Sequence, residues 1–106
     1  MQTYSLHFSD TFIEPILDNV FTKVIKFSFE KGKELQKHKT SSDIFVTVLE
    51  GHIRFQAEEE ITLKAGDMVT LDKYIEHSIV ALEKSVVLVV LTPSPSFHSI
   101  FKPIAE

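Results

Sequence analysis

Five histidines are the residues of this chain best suited to metal or proton chemistry: His7, His38, His52, His77 and His98. Imidazole is the commonest protein metal ligand and the side chain that titrates nearest neutrality. His7 and His98 lie near the ends of the chain and are expected to be exposed or interfacial. His52 follows Gly51 in the frame opposite to Ile53 and Phe55, which turns it toward solvent on a strand. His38 and His77 differ, because each follows a glycine turn, at Gly32 and at Gly66, on segments that flank the middle of a β-rich region.

Other catalytic constellations are missing. The chain has no cysteine, which excludes disulfide staples, thiol nucleophiles, iron–sulfur clusters and cysteine-type zinc sites. It contains no G-x-S-x-G, G-x-G-x-x-G, Walker A or H-E-x-x-H pattern, and three glycines in all leave little for a phosphate-cradling loop. Ser78 follows His77 directly, and neighbours on a strand point to opposite faces, so the two do not form a nucleophile–base pair. Glu58-Glu59-Glu60 reads as a solvated turn.

The elements that must position the histidines are strands. Between Val20 and Glu30 the odd positions Phe21, Ile25, Phe27 and Phe29 are apolar, a period of two. Lys31-Gly32-Lys33 ends that strand as a turn. Asp43 to Glu50 is apolar and β-branched on both parities, which suits a strand covered on both faces. Gly51 bends the chain into His52–Ala57. Further short strands follow at Ile61–Leu63, Met68–Leu71, His77–Leu82 and Val86–Thr92, separated by turns at Lys64–Asp67 and Asp72–Glu76. Short strands at this spacing give an antiparallel sandwich or barrel. Before them, Ser9-Asp10-Thr11 offers caps for one short helical turn, which Pro15 prevents from growing. After them, Pro93 and Pro95 break the last strand, and Phe97, Ile100 and Phe101 share one face of a helical turn.

With 106 residues and 43% apolar content the chain makes one domain with one core. A net charge of −4 argues against binding a phosphate backbone, and the aromatics alternate with apolar residues rather than with Lys and Arg, so no nucleic-acid partner is expected. The longest apolar run, Val86 to Leu91, is too short to cross a bilayer. The first residues resemble no secretory leader, and the expected location is the cytoplasm.

The segment Gly32 to Gly51, with His38 between, resembles the first cupin motif, G-x5-H-x-H-x3,4-E-x6-G. Gly66-Asp67 to His77 resembles the second, G-x5-P-x-G-x2-H-x3-N. Gly32, His38, Gly51, Gly66 and His77 fall in register, and the likeness spans Val20 to Thr92. It implies an all-β fold, an antiparallel double-stranded β-helix or jelly-roll barrel. The core would cover residues 20–92, with an N-terminal arm at 1–19 and a C-terminal tail at 93–106. Cupins usually hold a metal with three histidines and one glutamate. Here Thr40 stands at the second histidine and Ile44 at the glutamate, while Asp72, Tyr74 and Ala81 replace the proline, glycine and asparagine of the second motif. Threonine is a poor ligand for a transition metal and isoleucine none. Asp43 and Glu76 lie beside Ile44 and His77 but on the opposite strand face, so their carboxylates should look away.

The expectation is therefore a mostly apolar cup whose polar groups are His38, Thr40 and His77, walled by Ile44, Val46 and Ile79, and by Phe27 or Phe29. It would bind a small organic molecule without a tightly bound metal, and His38 or His77 would carry any acid–base catalysis. One alternative is a metal-dependent enzyme, dioxygenase-like or isomerase-like, with Fe, Mn, Ni or Zn on His38 and His77. Another is a structural dimerisation module with a filled barrel; in the plainest reading of the histidines they line a mostly apolar cup and hydrogen-bond each other, Thr40 or water. A homodimer is implied by the resemblance, with Tyr4–Phe12 and the Phe97/Ile100/Phe101 face as candidate contacts.

Overall fold

The computed structural model describes residues 1–95. Its strands are β1 (Ile13–Asp18), β2 (Lys23–Phe29), β3 (Glu34–His38), β4 (Asp43–Glu50), β5 (His52–Gln56), β6 (Glu60–Lys64), β7 (Met68–Leu71), β8 (His77–Ala81) and β9 (Ser85–Thr92). They form a five-stranded sheet, β1-β2-β9-β4-β7, and a four-stranded sheet, β3-β8-β5-β6, with every pairing antiparallel. The all-β double-sheet architecture expected from the strand spacing is present. No helix among the described residues is long and apolar enough to cross a membrane.

Alternation along each strand builds the core. Phe27 and Phe29 on β2, Ile44, Val46 and Val48 on β4, Ile53 and Phe55 on β5, Ile79 and Ala81 on β8, and Val87, Val89 and Leu91 on β9 all turn inward and are buried. At one end the interior is filled by aromatic rings: Phe12 meets Phe27 and Phe29 edge-on, with centroids 5.7 and 5.1 Å away. This closed end also carries the tightest turn. Gly51 has φ +88°, and a Cβ there would collide with the Ser85 side chain and the Lys84 carbonyl, so only glycine fits between β4 and β5.

Two sequence expectations are corrected. No helical turn forms at Ser9–Thr11: Ser9 donates its N–H to the Ser28 hydroxyl, its own hydroxyl bonds Glu14, and the chain continues into the edge strand β1. Pro15 is tolerated there because an edge strand leaves some N–H positions unpaired, and the register shifts between Pro15 and Leu17. Nor is β4 covered on both faces. Ile44, Val46 and Val48 face the core, while Phe45 on the other parity is 36% exposed. The second half of β2 is covered on both faces, with Lys26 and Ser28 buried beneath the N-terminal arm. The Lys26 ammonium donates to the His7 carbonyl and pairs with Glu14 at 3.1 Å. Of the candidate dimer contacts, Phe12 packs into its own core and Tyr4 is exposed; Phe97, Ile100 and Phe101 lie outside the described residues.

Candidate functional site

At the end of the sandwich opposite Gly51, β3 and β8 bring their histidines face to face. His38 closes β3, His77 opens β8, and the two are register partners across the ladder, reached through a bulge after Leu35. Their ring centroids are 4.4 Å apart with the planes tilted by 58°. On its other side His77 stacks against Phe55 at 5.9 Å and 15°. His77 is buried, and His38 is half-buried.

Each ring is held the same way. The Nδ1 of His38 lies 2.7 Å from the Gln36 carbonyl oxygen, and the Nδ1 of His77 lies 3.0 Å from that of Ile75. A carbonyl only accepts, so Nδ1 carries the hydrogen in both rings and donates it. In the neutral rings Nε2 is then an acceptor, and neither Nε2 has a hydrogen-bond partner among the described residues. Burial pushes the His77 imidazole below its ordinary pKa; the Ile75 carbonyl opposes that shift and the neighbouring His38 adds to it. His77 is thus neutral near pH 7.

The rings border a cavity of about 50 Å³. Of the residues expected there, His38, Thr40, Ile44, Val46, His77, Ile79 and Phe27 all line it. Phe29 does not, and packs instead with Phe12 and Phe27 at the closed end. Ile25, Leu35, Val89 and Leu91 complete the wall and were not anticipated. β3 carries one apolar residue among Glu34, Gln36, Lys37 and His38, too weak a pattern to read as a strand. β9 is apolar at nearly every position, so sequence alone does not say which parity faces in. Thr40 lines the cup, but its hydroxyl donates to the Ser42 carbonyl at 3.1 Å and accepts from the Ser42 N–H at 3.2 Å, closing a local turn.

The donor set does not fit the family's four-ligand metal site. Ile44 places an apolar side chain in the cup wall, and Thr40 is engaged with Ser42. The Asp43 carboxylate faces away and accepts the Lys73 N–H at 3.1 Å, and Glu76 is exposed. Among the described residues no three His, Asp or Glu side chains converge. What remains is two imidazole nitrogens on an apolar cup.

The mouth is shaped by the turn between β7 and β8. Lys73 is tied to Asp43, and the Tyr74 N–H donates to the Thr40 carbonyl at 2.8 Å. Next to those anchors Tyr74 is held at φ 67°, the left-handed region, at the position where the second motif has glycine. Tyr74, Thr40, Lys39, Ser41 and Pro95 line a groove of about 400 Å³, and Thr40 belongs to both groove and cup. Glu58 and Glu59 are exposed, beside a separate cavity on the far side of Phe55.

Residues 25–92 match the model of the cupin domain family. Among solved structures, an RmlC-like cupin protein from Desulfovibrio desulfuricans superposes with a TM-score of 0.80 at 23% identity, covering 88% of this chain and 97% of that one. An RmlC-like cupin family protein with a double-stranded β-helix fold from Methanocaldococcus jannaschii gives 0.75 at 18% identity, covering 91% and 95%. KdgF from a Halomonas species gives 0.72 at 23% identity, with 76% of each chain covered. No match to a curated protein was found. The family match spans both histidine-bearing motifs and the strands between them, and the chain belongs to the cupin domain family.

Proposed function

We propose that this cupin binds a small organic molecule by accepting a hydrogen bond from it at the Nε2 atoms of His38 and His77, with no metal ion in between. One observation carries the reading: both rings give their Nδ1–H to backbone carbonyls and line an apolar cavity, and neither Nε2 has a hydrogen-bond partner among the described residues. A buried acceptor without a partner costs about 1–3 kcal/mol, so a ligand hydroxyl or N–H gains from supplying one. The size of the cup bounds the ligand. Pockets that enclose a whole drug-sized molecule run to roughly 300–1,000 Å³, and a cavity of about 50 Å³ takes only a head group. The body of the molecule would lie in the adjoining groove, reached past Thr40.

A second reading is favoured by the same tautomers. Metal-bound histidines also donate their other ring nitrogen to a carbonyl, so a divalent transition metal held by His38 and His77, with water or substrate completing its shell, is the competing account. Elemental analysis of protein purified without a polyhistidine tag or chelator separates the two. Background metal per chain is the expected result; near-stoichiometric metal that disappears in His77→Ala would move the metalloenzyme reading to first place.

A further inference from the structure

We propose that the cup is specific for an uncharged amino group carried on an aromatic ring, an arylamine, whose two N–H bonds go to the Nε2 atoms of His38 and His77. The inference rests on the hydrogen-bond-acceptor reading of the cup and adds the class of head group. Three of the residues that line the cup have polar side chains, His38, Thr40 and His77. Each of their donors is already committed: the Nδ1–H of His38 to the Gln36 carbonyl, that of His77 to the Ile75 carbonyl, and the Thr40 hydroxyl to the Ser42 carbonyl. The rest of the wall is apolar, with no Lys, Arg, Asp or Glu on it. Among the described residues the cup therefore offers two acceptors and no uncommitted side-chain donor. A carboxylate head would find neither a donor nor a cation there. A primary amide would leave its carbonyl oxygen unpaired, and a hydroxyl would give its one hydrogen to one ring and leave the other without a donor. An alkyl amine has hydrogens enough but is an ammonium at neutral pH, and no carboxylate lines the cup to pair with that charge. An amino group conjugated to an aromatic ring is neutral at that pH, keeps two N–H donors, and has its lone pair delocalised into the ring. With centroids 4.4 Å apart, the two imidazoles are near enough for one nitrogen to serve both.

Aniline, phenol, toluene and benzoate test this on the full chain with chelator present, with affinity and the imidazole ¹⁵N signals followed by NMR titration. The four share a ring and differ in the head: two donors, one donor, none, and an anion that only accepts. The wild type should bind aniline most tightly and shift the Nε2 signals of both histidines. Phenol should bind roughly two- to tenfold more weakly, for the loss of one hydrogen bond. Toluene should be weaker again, and benzoate should not bind. His38→Phe leaves one acceptor, so aniline and phenol should then bind alike. Phenol binding the wild type as tightly as aniline, or His38→Phe keeping the preference for aniline, overturns the arylamine and leaves the acceptor reading standing. Binding of phenol without binding of aniline does the same. Toluene binding as tightly as aniline, or benzoate shifting the His77 signals, overturns the acceptor reading and the arylamine with it. Absence of binding by all four overturns both as well.

Discussion

The two ends of this sandwich are built from the same strands and solve opposite problems. At the closed end three phenylalanine rings fill the interior, and the turns pass through glycines: Gly32, Gly51 and Gly66 all have positive φ. At the open end the same inward parities carry Ile44, His77 and Leu91 around a void, and the residue at positive φ is a tyrosine. The closed end is locally consistent, each residue matching the conformation asked of it. The open end breaks two such rules, with Tyr74 at positive φ and two histidine Nε2 atoms that meet no donor among the described residues. Natural folds concentrate inconsistencies of this sort where they act on something else.

Mutations that attack packing should separate the ends most. Phe29→Ala removes a fully buried ring from the aromatic cluster and should cost about 3–5 kcal/mol in urea unfolding. His77→Phe swaps one ring for another beside Phe55 and removes both an acceptor and the donor to the Ile75 carbonyl, so its cost should stay within about 1 kcal/mol. Comparable losses for the two would erase the distinction between the ends.

Adding a charge to the cup is the next largest effect. Ile44→Glu should lower stability by about 3 kcal/mol at pH 7, or leave the new carboxyl protonated, since a lone buried carboxylate has no cation to face. Adding Thr40→His should restore the family's ligand set and make the melting temperature rise on addition of Zn²⁺ or Ni²⁺. A double variant indifferent to metal would mean that the β3–β4 connection no longer brings those positions together.

Smaller again is the pH dependence. Burial holds His77 below its ordinary pKa, so the unfolded chain binds this proton more readily than the folded one. The stability this contributes is present above the unfolded value of about 6.5 and falls as pH drops below it. Thermal unfolding between pH 7.5 and 5 should show that decline, and His77→Phe should flatten it. The smallest effect belongs to the mouth: Tyr74→Gly should gain about 0.5–1 kcal/mol, the left-handed penalty of a bulky residue less the chain entropy that glycine loses.

Much of this was legible from residue order. Period-two alternation located β2 and β5, apolar runs between turns located β8 and β9, and the resemblance to the two cupin motifs implied that His38 and His77 share one cup. Three things were hidden. β3 has too few apolar residues to announce itself, because its partner β8 rather than its own pattern holds it in place. Lys26 sits on the outward parity of β2, and nothing in the strand says that the N-terminal arm will bury it. The tautomers of the histidines depend on the carbonyls of Gln36 and Ile75, two residues back along each chain segment, which is a matter of backbone geometry.

The central claim is that the cup presents the Nε2 atoms of His38 and His77, free of metal, to a ligand's donor. Long-range ¹H–¹⁵N spectra of the imidazoles at neutral pH, on protein purified without chelator, test it most directly. The account predicts that His77 is a neutral Nδ1–H tautomer whose Nε2 signal lies at the unprotonated, metal-free position and moves toward the hydrogen-bonded range when phenol is added. A protonated His77 Nε2, or a signal displaced by a bound metal that chelator restores, would contradict it.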